Sequence, residues 1–411
     1  MINFRKPVNY NQTARKIAFI HDCTVYGGLE SYILMLLRYI DTSRYSPVVV
    51  VPGYLDDNRS SPKRFIEEVQ ELGVPLIRPS DPGNIWGVNF VKDVYHLSQE
   101  LRKAKIEVAH IHTARPFGAR RATVAVRVAG VPALLRTEHL APSATITPYT
   151  KYFIKHIEWL TDCIITDSDS CRNEQINLLG RNPDKVKRYY CGIELDRFNP
   201  LHDKAAAKRK LNLDPTIPMV GAIGRLAEQK GHTYLVTAAA RIIKEFGPVN
   251  FVLVGNGPLE EMLRQQVAAL GIGEYFHFAG FQPNTIPYME AMDVAVMPSL
   301  YEGFSLAMLE FMAMGKPMVT SDEPSFTEAM TDGESCLMAP KRDGKALGEA
   351  ILKVLRNPEL ANQLSQNALK RVRTDFGMPR LASDMMDLYD SLLGIKTVSH
   401  TQNVGEAISY R

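Results

Sequence analysis

Strand-like and helix-like segments alternate along nearly the whole chain, and this alternation restricts the fold more than any other feature of the sequence. Short apolar runs such as KIAFIHD (16–22), PVVVV (47–51) and VAHIH (108–112) are each followed by a longer stretch with helical periodicity. This pattern is typical of parallel sheets whose connecting helices cover both faces. The predicted strands span residues 16–22, 47–51, 74–77, 108–112, 134–138, 163–166, 187–190, 219–223, 249–254, 276–279, 294–297 and 318–320. The predicted helices include residues 29–40, 63–72, 91–103, 118–129, 149–160, 345–356, 358–376 and 379–393.

One segment interrupts the alternation and indicates a domain boundary. Residues 192–204 read GIELDRFNPLHDK, which is rich in turn-forming residues, and a second alternating series follows. A chain of 411 residues also exceeds a single typical core. We predict an N-terminal Rossmann-like domain over 1–198, a second over 199–376, and a final helix plus tail over 377–411. Two doubly wound sheets would face a cleft, and ligands of such folds bind at the carboxyl ends of the strands.

Composition excludes several classes of protein. The hydrophobic content of 45% and charged content of 23% are those of an ordinary globular chain. The five cysteines include no CxxC pair, so they indicate neither a zinc site nor a disulfide framework. The N-terminal residues lack the apolar core of a signal peptide, and no apolar run is long enough to span a bilayer. We expect a cytoplasmic protein, at most attached peripherally to the inner face of the cell membrane.

A basic segment in the first half leaves three interpretations open. Residues 1–198 hold 27 Lys or Arg and 21 Asp or Glu, a net charge of +6, whereas the rest holds 21 and 24, a net charge of −3. Residues 101–158 carry 10 basic and 3 acidic side chains. The segment could be a solvated face, a surface for anionic lipid, or a site for an anionic acceptor or nucleic acid. Nucleic acid is disfavoured because the chain as a whole is close to neutral. The basic residues of interest here are Arg115, Arg120, Arg121, Arg127, Lys151 and Lys155.

The sequence EGFSLAMLE contains two glutamates with an apolar run between them. Residues 304–314 are almost wholly apolar and precede Gly315, so they predict a buried helix that begins near Ser305. Glu310 would be the one charge on this helix. Since a buried carboxylate without hydrogen-bond donors is unfavourable, a pair of ligand hydroxyls is one candidate partner. The alternative is a core helix with one structural glutamate.

Glu302 would lie in the loop just before that helix. The amides of Gly303, Phe304 and Ser305 would point away from the helix near the positive end of its dipole, where anions bind. A site for hydroxyl groups above a site for phosphate predicts a nucleotide sugar as ligand.

Other motifs follow strands of the same predicted sheets. Arg225 and Lys230, in GRLAEQKG, are two cations beyond a strand end, and they suit a diphosphate; unrelated surface cations are the alternative. Gly255 in GNGP would let a ligand approach the backbone closely, or would form an ordinary turn. Gly28, in the Gly-Gly pair after the first strand, is equally ambiguous. The pair lacks the spacing of a GxGxxG dinucleotide motif.

Histidines end two strands of the first domain. His139 follows one strand, and His110 and His112 lie on one side of another, where we favour a structural role for His110. The string Asp167-Ser168-Asp169 matches a DxD metal motif, but it closely follows a buried strand and is interpreted as a strand-end turn. Neither a catalytic metal nor another cofactor is expected.

Together these motifs resemble the retaining glycosyltransferases of family 4. The resemblance rests on GGLE, HIH, TEH, GRLAEQKG, VLVGNGP and EGFSLAMLEFMAMGKPMV, in that order over roughly residues 16–393. It implies a GT-B fold: two Rossmann-like domains face a cleft, the second binds most of the donor, and a final helix crosses back to the first.

The resemblance also implies roles for individual residues. Arg225 and Lys230 would hold the donor diphosphate, although the loop between them varies among members. Glu310 would bind the ribose hydroxyls, and Glu302 would contact the transferred sugar. The backbone amides of Gly303 to Leu306 would help to bind the sugar and the phosphate.

In the first domain, Gly28 would lie against the phosphates, and His139 corresponds to the active-site histidine near the donor sugar. Gly255 would lie beside the nucleotide.

The expected function is retaining, metal-independent transfer of a sugar from a nucleotide-sugar donor to a glycan or lipid-linked acceptor in polysaccharide or glycoconjugate biosynthesis. A UDP-linked donor is favoured over a GDP-linked one, but the sequence leaves the base open. One alternative is a non-hydrolysing sugar-nucleotide 2-epimerase, which shares the fold and the donor but needs no acceptor. Another is a GT-B subunit that binds nucleotide sugars without catalysis.

Overall fold

The computed structural model describes residues 14–21, 27–51, 62–78, 90–114, 118–140, 148–198 and 203–395. It consists of two parallel sheets, each covered by helices on both faces. The first sheet has seven strands in the order β3-β2-β1-β4-β5-β6-β7. Its strands are β1 (Arg15–His21), β2 (Tyr45–Val50), β3 (Leu76–Ile77), β4 (Val108–Thr113), β5 (Ala133–Glu138), β6 (Cys163–Thr166) and β7 (Val186–Arg188). Its helices are α1 (Gly28–Tyr39), α2 (Pro62–Glu71), α3 (Phe90–Lys103), α4 (Arg120–Ala129), α5 (Pro148–Leu160) and α6 (Asp169–Asn177).

The second sheet has six strands in the order β10-β9-β8-β11-β12-β13. Its strands are β8 (Met219–Ile223), β9 (Asn250–Val254), β10 (Phe276–Gly280), β11 (Val294–Met297), β12 (Met318–Ser321) and β13 (Leu337–Ala339). The remaining helices are α7 (Lys204–Lys210), α8 (His232–Phe246), α9 (Glu260–Ala269), α10 (Ile286–Ala291), α11 (Leu306–Ala313), α12 (Pro324–Ala329), α13 (Gly344–Arg356), α14 (Pro358–Asp375) and α15 (Met378–Leu392).

The central strands are buried along their whole length because helices cover both faces of each sheet. All residues of β2, β4, β5 and β6 are buried, as are those of β9, β11 and β12. The chain reverses strand order next to β1 in the first sheet and next to β8 in the second, which is the topological switch point of a doubly wound fold.

The last helix returns to the first domain, as predicted. The hydroxyl of Tyr389 in α15 lies 2.8 Å from Nδ1 of His110, and Asp390 accepts a hydrogen bond from the Tyr45 hydroxyl at 2.6 Å. Beside the start of α15, Ile193 pairs with Gly377, so the two chain crossings between the domains lie next to each other. His110 has the structural role that we favoured, since its other ring nitrogen lies 2.7 Å from Oγ1 of Thr137.

The fold prediction is confirmed, and the differences concern element ends and short elements. Strands β6, β8 and β11 have the predicted bounds, but the strand predicted over 74–77 is limited to Leu76–Ile77. Helices α6 and α12 and strand β13 were not predicted. The domain bounds of 198 and 376 remain predictions; β7 ends at Arg188, β8 begins at Met219, and α15 begins at Met378.

Candidate active site

A cavity of about 540 Å³ lies between the two domains, where the carboxyl edges of the two sheets face each other. The first domain contributes residues that follow β1, β5 and β6. The second contributes residues that follow β8, β9 and β11. All of the predicted site residues line this one cavity: Gly28, His139, Arg225, Lys230, Gly255, Glu302, Gly303, Phe304, Ser305, Leu306 and Glu310.

Among the described residues, the Glu302 side chain has three polar side-chain partners at the cavity. Its carboxylate accepts hydrogen bonds from Lys230 Nζ at 2.6 Å and from the Ser299 hydroxyl at 2.7 Å. The Gln229 amide lies 3.4 Å from its second oxygen. Glu302 is only 5% exposed, so the Lys230 ammonium compensates a charge that water cannot reach freely. The sequence did not predict this ion pair. It brings together Glu302, which was expected to contact the transferred sugar, and Lys230, which was expected to bind the diphosphate.

The helix predicted after Glu302 begins and ends as expected. Ser305 is the N-cap of α11, the helix ends at Ala313, and Gly315 adopts a left-handed conformation. Across the part of the chain that the structure describes, the amides of Gly303, Phe304 and Ser305 have no hydrogen-bond acceptor. These amides are therefore available to donate hydrogen bonds to an anion in the cavity.

Glu310 faces the cavity from the apolar helix α11. No donor among the described residues reaches its carboxylate, and burial raises its pKa to about 7, an effect that the nearby Arg197 partly opposes. The side chain is partly exposed through the cavity. A carboxylate that is short of donors and open to a cavity is suited to bind hydroxyl groups.

Arg225 projects from the end of β8 and is exposed. Within the described part of the chain, no carboxylate lies within ion-pair distance of its guanidinium. Lys230, by contrast, is 2.6 Å from Glu302. Arg225 is thus the cation of this pair that can bind an anion without first losing a partner.

His139 lies in the cavity wall, but its ring is held by the first domain. Nδ1 is 2.8 Å from Oδ2 of Asp167, and Nε2 is 3.3 Å from Nδ1 of His112. Burial lowers the pKa of His112 well below its usual value, so His112 is neutral. With both nitrogens of His139 engaged, the atom that this residue presents toward the second domain is its backbone carbonyl oxygen.

Two glycines permit close approaches at the cavity. A Cβ added at Gly303 would clash with the carbonyl oxygen of His139 across the domain boundary. Gly255 has a φ of 135°, and a Cβ there would clash with the carbonyl oxygen of Gly224. Gly28 differs, because its nearest neighbour would be the Leu306 side chain at an ordinary 3.8 Å.

Sequence reasoning missed Asp167, Gln229 and Ser299. The turn predicted after β6 is limited to Asp167 and Ser168, because Asp169 begins α6; Ser168 caps that helix by accepting from the Cys171 amide at 3.1 Å. The preceding Asp167 points to His139 from a neighbouring strand. The only signal for this contact was that both residues follow strands predicted for one sheet.

Two further features of the described residues bear on function. No group of three or more His, Cys, Asp or Glu side chains in that part of the chain could hold a metal ion. None of the helices it contains is long and apolar enough to cross a membrane.

Comparisons with known proteins agree with this architecture, and the two sheets with their shared cleft define a GT-B protein. The family model "Glycosyltransferase Family 4" matches residues 26–197, and "Glycosyl transferases group 1" matches residues 203–371. The chain belongs to glycosyltransferase family 4, a family of sugar-transferring enzymes, which confirms the resemblance noted in the sequence.

Several known proteins are similar to this chain. The lipopolysaccharide core biosynthesis mannosyltransferases LpsB of Rhizobium meliloti and LpcC of Rhizobium leguminosarum bv. viciae are 32% and 30% identical. These alignments cover 49% and 60% of this chain, and 60% and 68% of the relatives. The Escherichia coli UDP-Gal:alpha-D-GlcNAc-diphosphoundecaprenol alpha-1,3-galactosyltransferase is 27% identical over 91% of this chain and 96% of its own length. Among solved structures, Anabaena Alr3699/HepE in complex with UDP-glucose superposes with a TM-score of 0.76 at 18% identity, covering 92% of this chain and 99% of that one.

Proposed function

We propose that this protein transfers a sugar from a nucleotide-sugar donor, UDP-linked rather than GDP-linked, to a glycan or lipid-linked acceptor, with retention of configuration. The observation that carries the proposal is the arrangement of one cavity wall. Arg225, Lys230 and the free amides before α11 offer a place for a diphosphate, and Glu310 offers one for a pair of hydroxyls. The complex of HepE with UDP-glucose and the UDP-galactose donor in the name of the E. coli relative support the preference for UDP.

The proposed donor lies along the second domain. Arg225 and Lys230 bind the diphosphate, and Glu310 accepts hydrogen bonds from the ribose hydroxyls. Gly255, which has no side chain to keep a ligand away from its backbone, lies beside the nucleoside. Glu302 accepts from the transferred sugar while it retains its ion pair with Lys230, since an ammonium has three protons to donate.

In the proposed reaction, the bond between the anomeric carbon and the diphosphate oxygen breaks. A bond to the acceptor oxygen then forms on the same face of the sugar. The acceptor hydroxyl gives its proton to the departing phosphate oxygen, so no protein base is required. The departing negative charge is stabilised by Arg225, Lys230 and the amides of Gly303 to Ser305. These groups make the step independent of a metal ion in our proposal, and activity in EDTA tests this.

Release of nucleoside diphosphate from a panel of UDP- and GDP-sugars, measured in EDTA, tests the donor site. We expect slow release from one UDP-sugar, lost in Glu302→Gln and retained in Glu334→Gln, which changes an exposed glutamate of the same domain. Equal rates in wild type and Glu302→Gln would contradict the assignment. If no donor is cleaved, titration with UDP and GDP distinguishes an obligatory acceptor from a site that binds neither nucleotide.

The acceptor side of the proposal rests on a surface of the first domain, which we call the α5 face. It consists of Lys151, Tyr152, Lys155 and Trp159 on α5, together with Arg120 at the start of α4. Trp159 is 79% exposed and Tyr152 59% exposed, so two large aromatics lie in water beside the basic side chains. Arg120 is part of the same surface, since its guanidinium lies 5.0 Å from the Phe153 ring.

This combination is typical of a peripheral contact with anionic lipid, because the aromatics enter the interface while the basic groups meet the headgroups. Other basic residues of the segment are already paired: Arg121 lies 2.9 Å from Asp93 and Arg127 lies 2.7 Å from Asp162. Arg115 lies outside the described residues. Helix α4 follows β4, so its first residue lies at the edge of the sheet that faces the cleft, and a lipid-linked acceptor held there would be near the donor.

Co-sedimentation with phosphatidylglycerol-containing vesicles, and with pure phosphatidylcholine vesicles, tests the α5 face. Each basic residue near an anionic surface contributes about 1 kcal/mol, so neutralising Arg120, Lys151 and Lys155 together should weaken binding roughly 100-fold. Neutralising Lys210, Lys345 and Lys353, exposed on the second domain, is the matched control. Unchanged binding in the first variant would remove the membrane contact from the proposal without affecting the donor site.

A further inference from the structure

Asp167 is a buried carboxylate that the mechanism above does not use. It is 2% exposed, lies directly after β6, and lines the cavity beside His139. Its Oδ2 accepts a hydrogen bond from Nδ1 of His139 at 2.8 Å, and the pair is an ion pair whenever the imidazole is protonated. A buried carboxylate is unfavourable without such a partner, so this contact stabilises Asp167 in its buried position, and the thiol of Cys191 also interacts with the carboxylate.

The contact fixes the chemical form of the His139 ring. Nδ1 of His139 carries the hydrogen that is donated to Asp167 in this hydrogen bond, so in the neutral ring the lone pair is on Nε2. Nε2 faces Nδ1 of the neutral His112 at 3.3 Å. Tyr32 packs edge-on against the same ring, with centroids 5.0 Å apart. Three side chains thus determine the rotation of an imidazole that has no nitrogen left for a ligand.

The backbone of His139 is held by its amide, which donates to the carbonyl oxygen of Thr113 at 3.0 Å, and the ring contacts restrain the same residue from its side-chain end. The carbonyl oxygen of His139 meets Gly303 so closely that no Cβ fits between them. Gly303 belongs to the loop that holds Glu302 and the free amides. The wall of the cavity nearest the proposed sugar position is therefore aligned through His139.

We propose that Asp167 is a positioning residue for sugar transfer, acting only through His139: it holds the imidazole, and thereby the His139 carbonyl, in register with the Gly303 loop of the other domain. The inference rests on the proposed donor site. A misplacement of about 1 Å at such a wall can reduce turnover roughly 100-fold. Nucleotide affinity should not change, because Arg225, Lys230 and Glu310 are all on the second domain.

A double-mutant cycle of Asp167→Ala and His139→Ala tests the inference, with kcat, KM and the Kd for UDP as readouts. We expect Asp167→Ala to lower kcat about 10- to 100-fold, with the Kd for UDP unchanged within about twofold. In the His139→Ala background, Asp167→Ala should have no further effect. Asp167→Asn, whose amide oxygen can still accept from Nδ1, should restore kcat to within about threefold of wild type.

An NMR spectrum of the protein labelled with ¹⁵N-histidine measures the chemical shifts of the ring nitrogens, which simple destabilisation would not change. The ring nitrogens of His139 should shift in Asp167→Ala, whereas those of His277, in the other domain, should not. Additive losses of kcat in the double-mutant cycle, or a higher Kd for UDP in Asp167→Ala, would overturn the positioning role. If wild type itself neither binds nor turns over a nucleotide sugar, the proposed function fails; normal turnover with an additive cycle rejects only the role of Asp167.

Discussion

Glu310 should be a residue that destabilises the empty protein and strengthens nucleotide binding. Its pKa is raised from 4.5 to about 7, chiefly because burial disfavours the charged carboxylate. For a group whose pKa is higher in the folded state, its favourable contribution is complete below pH 4.5 and is lost as the pH rises through 7. Above pH 8, the charged form should therefore make the folded state less stable.

The magnitude follows from that shift. A difference of about 2.5 pKa units corresponds to about 3 kcal/mol of unfolding free energy. Since the carboxylate opens onto a cavity that water can enter, we expect about 1–3 kcal/mol. Glu310→Gln keeps the shape of the side chain but cannot ionise. At pH 8.5 it should raise the free energy of unfolding by that amount, or the melting temperature by roughly 2–10 °C for a domain of this size. At pH 5 the gain should nearly vanish.

The same substitution should weaken nucleotide binding. Hydrogen bonds to a charged acceptor contribute about 1.5–3 kcal/mol, so the Kd for UDP should rise about 10- to 100-fold in Glu310→Gln. Urea denaturation at pH 5 and 8.5 measures the first effect, and isothermal titration calorimetry measures the second. Glu334→Gln, at an exposed site, should change neither. A loss of stability in Glu310→Gln at pH 8.5 would refute the reasoning, because it would mean that the carboxylate is satisfied in the empty site.

Three further substitutions address the cleft. Arg225→Ala should lower kcat/KM about 100-fold with an unchanged melting temperature, since the side chain is exposed and would stabilise the departing diphosphate. Gly303→Ala should abolish turnover while the second domain still binds UDP, because the new Cβ clashes with His139 when the domains meet; small-angle scattering should show a larger radius of gyration. Glu328→Ala should open the domains too, because its carboxylate accepts from two first-turn amides of α6 across the boundary, both at 2.7 Å; we expect the same increase in radius and about tenfold lower turnover.

Each of these variants has a matched control. Arg209→Ala removes an exposed arginine outside the cavity, and Gly273→Ala adds a methyl group where no atom lies within 4 Å. Glu334→Gln serves again for Glu328. Full turnover in Gly303→Ala would show that the contact with His139 is not needed for transfer. An equal loss of kcat/KM in Arg209→Ala and Arg225→Ala would contradict the role of Arg225 in stabilising the departing diphosphate.

Elements with a strong apolar signal were predictable, and those without one were not. Strands β6, β8 and β11 are short apolar runs that any parallel sheet buries, so their bounds follow from the sequence. Helix α6 reads DSCRNEQIN and buries only Cys171 and Gln175, so it has no apolar periodicity to detect. Strand β13 has three residues, too few for a period to be recognised.

By itself, the sequence determined the two parallel sheets, the buried helix after Glu302 and the position of Glu310 on it, because these depend on local hydrophobic pattern and on residues close together in the chain. Only the tertiary structure decided which polar groups meet. Lys230 and Glu302 are 72 positions apart, His139 and Asp167 are 28 apart, and Glu328 reaches α6 across 159. The ends of separate parallel strands come together at one edge of a sheet, and two such edges face each other only when the domains are packed. The partners of a charge in the cleft therefore follow from strand order and domain contact, which no local pattern specifies.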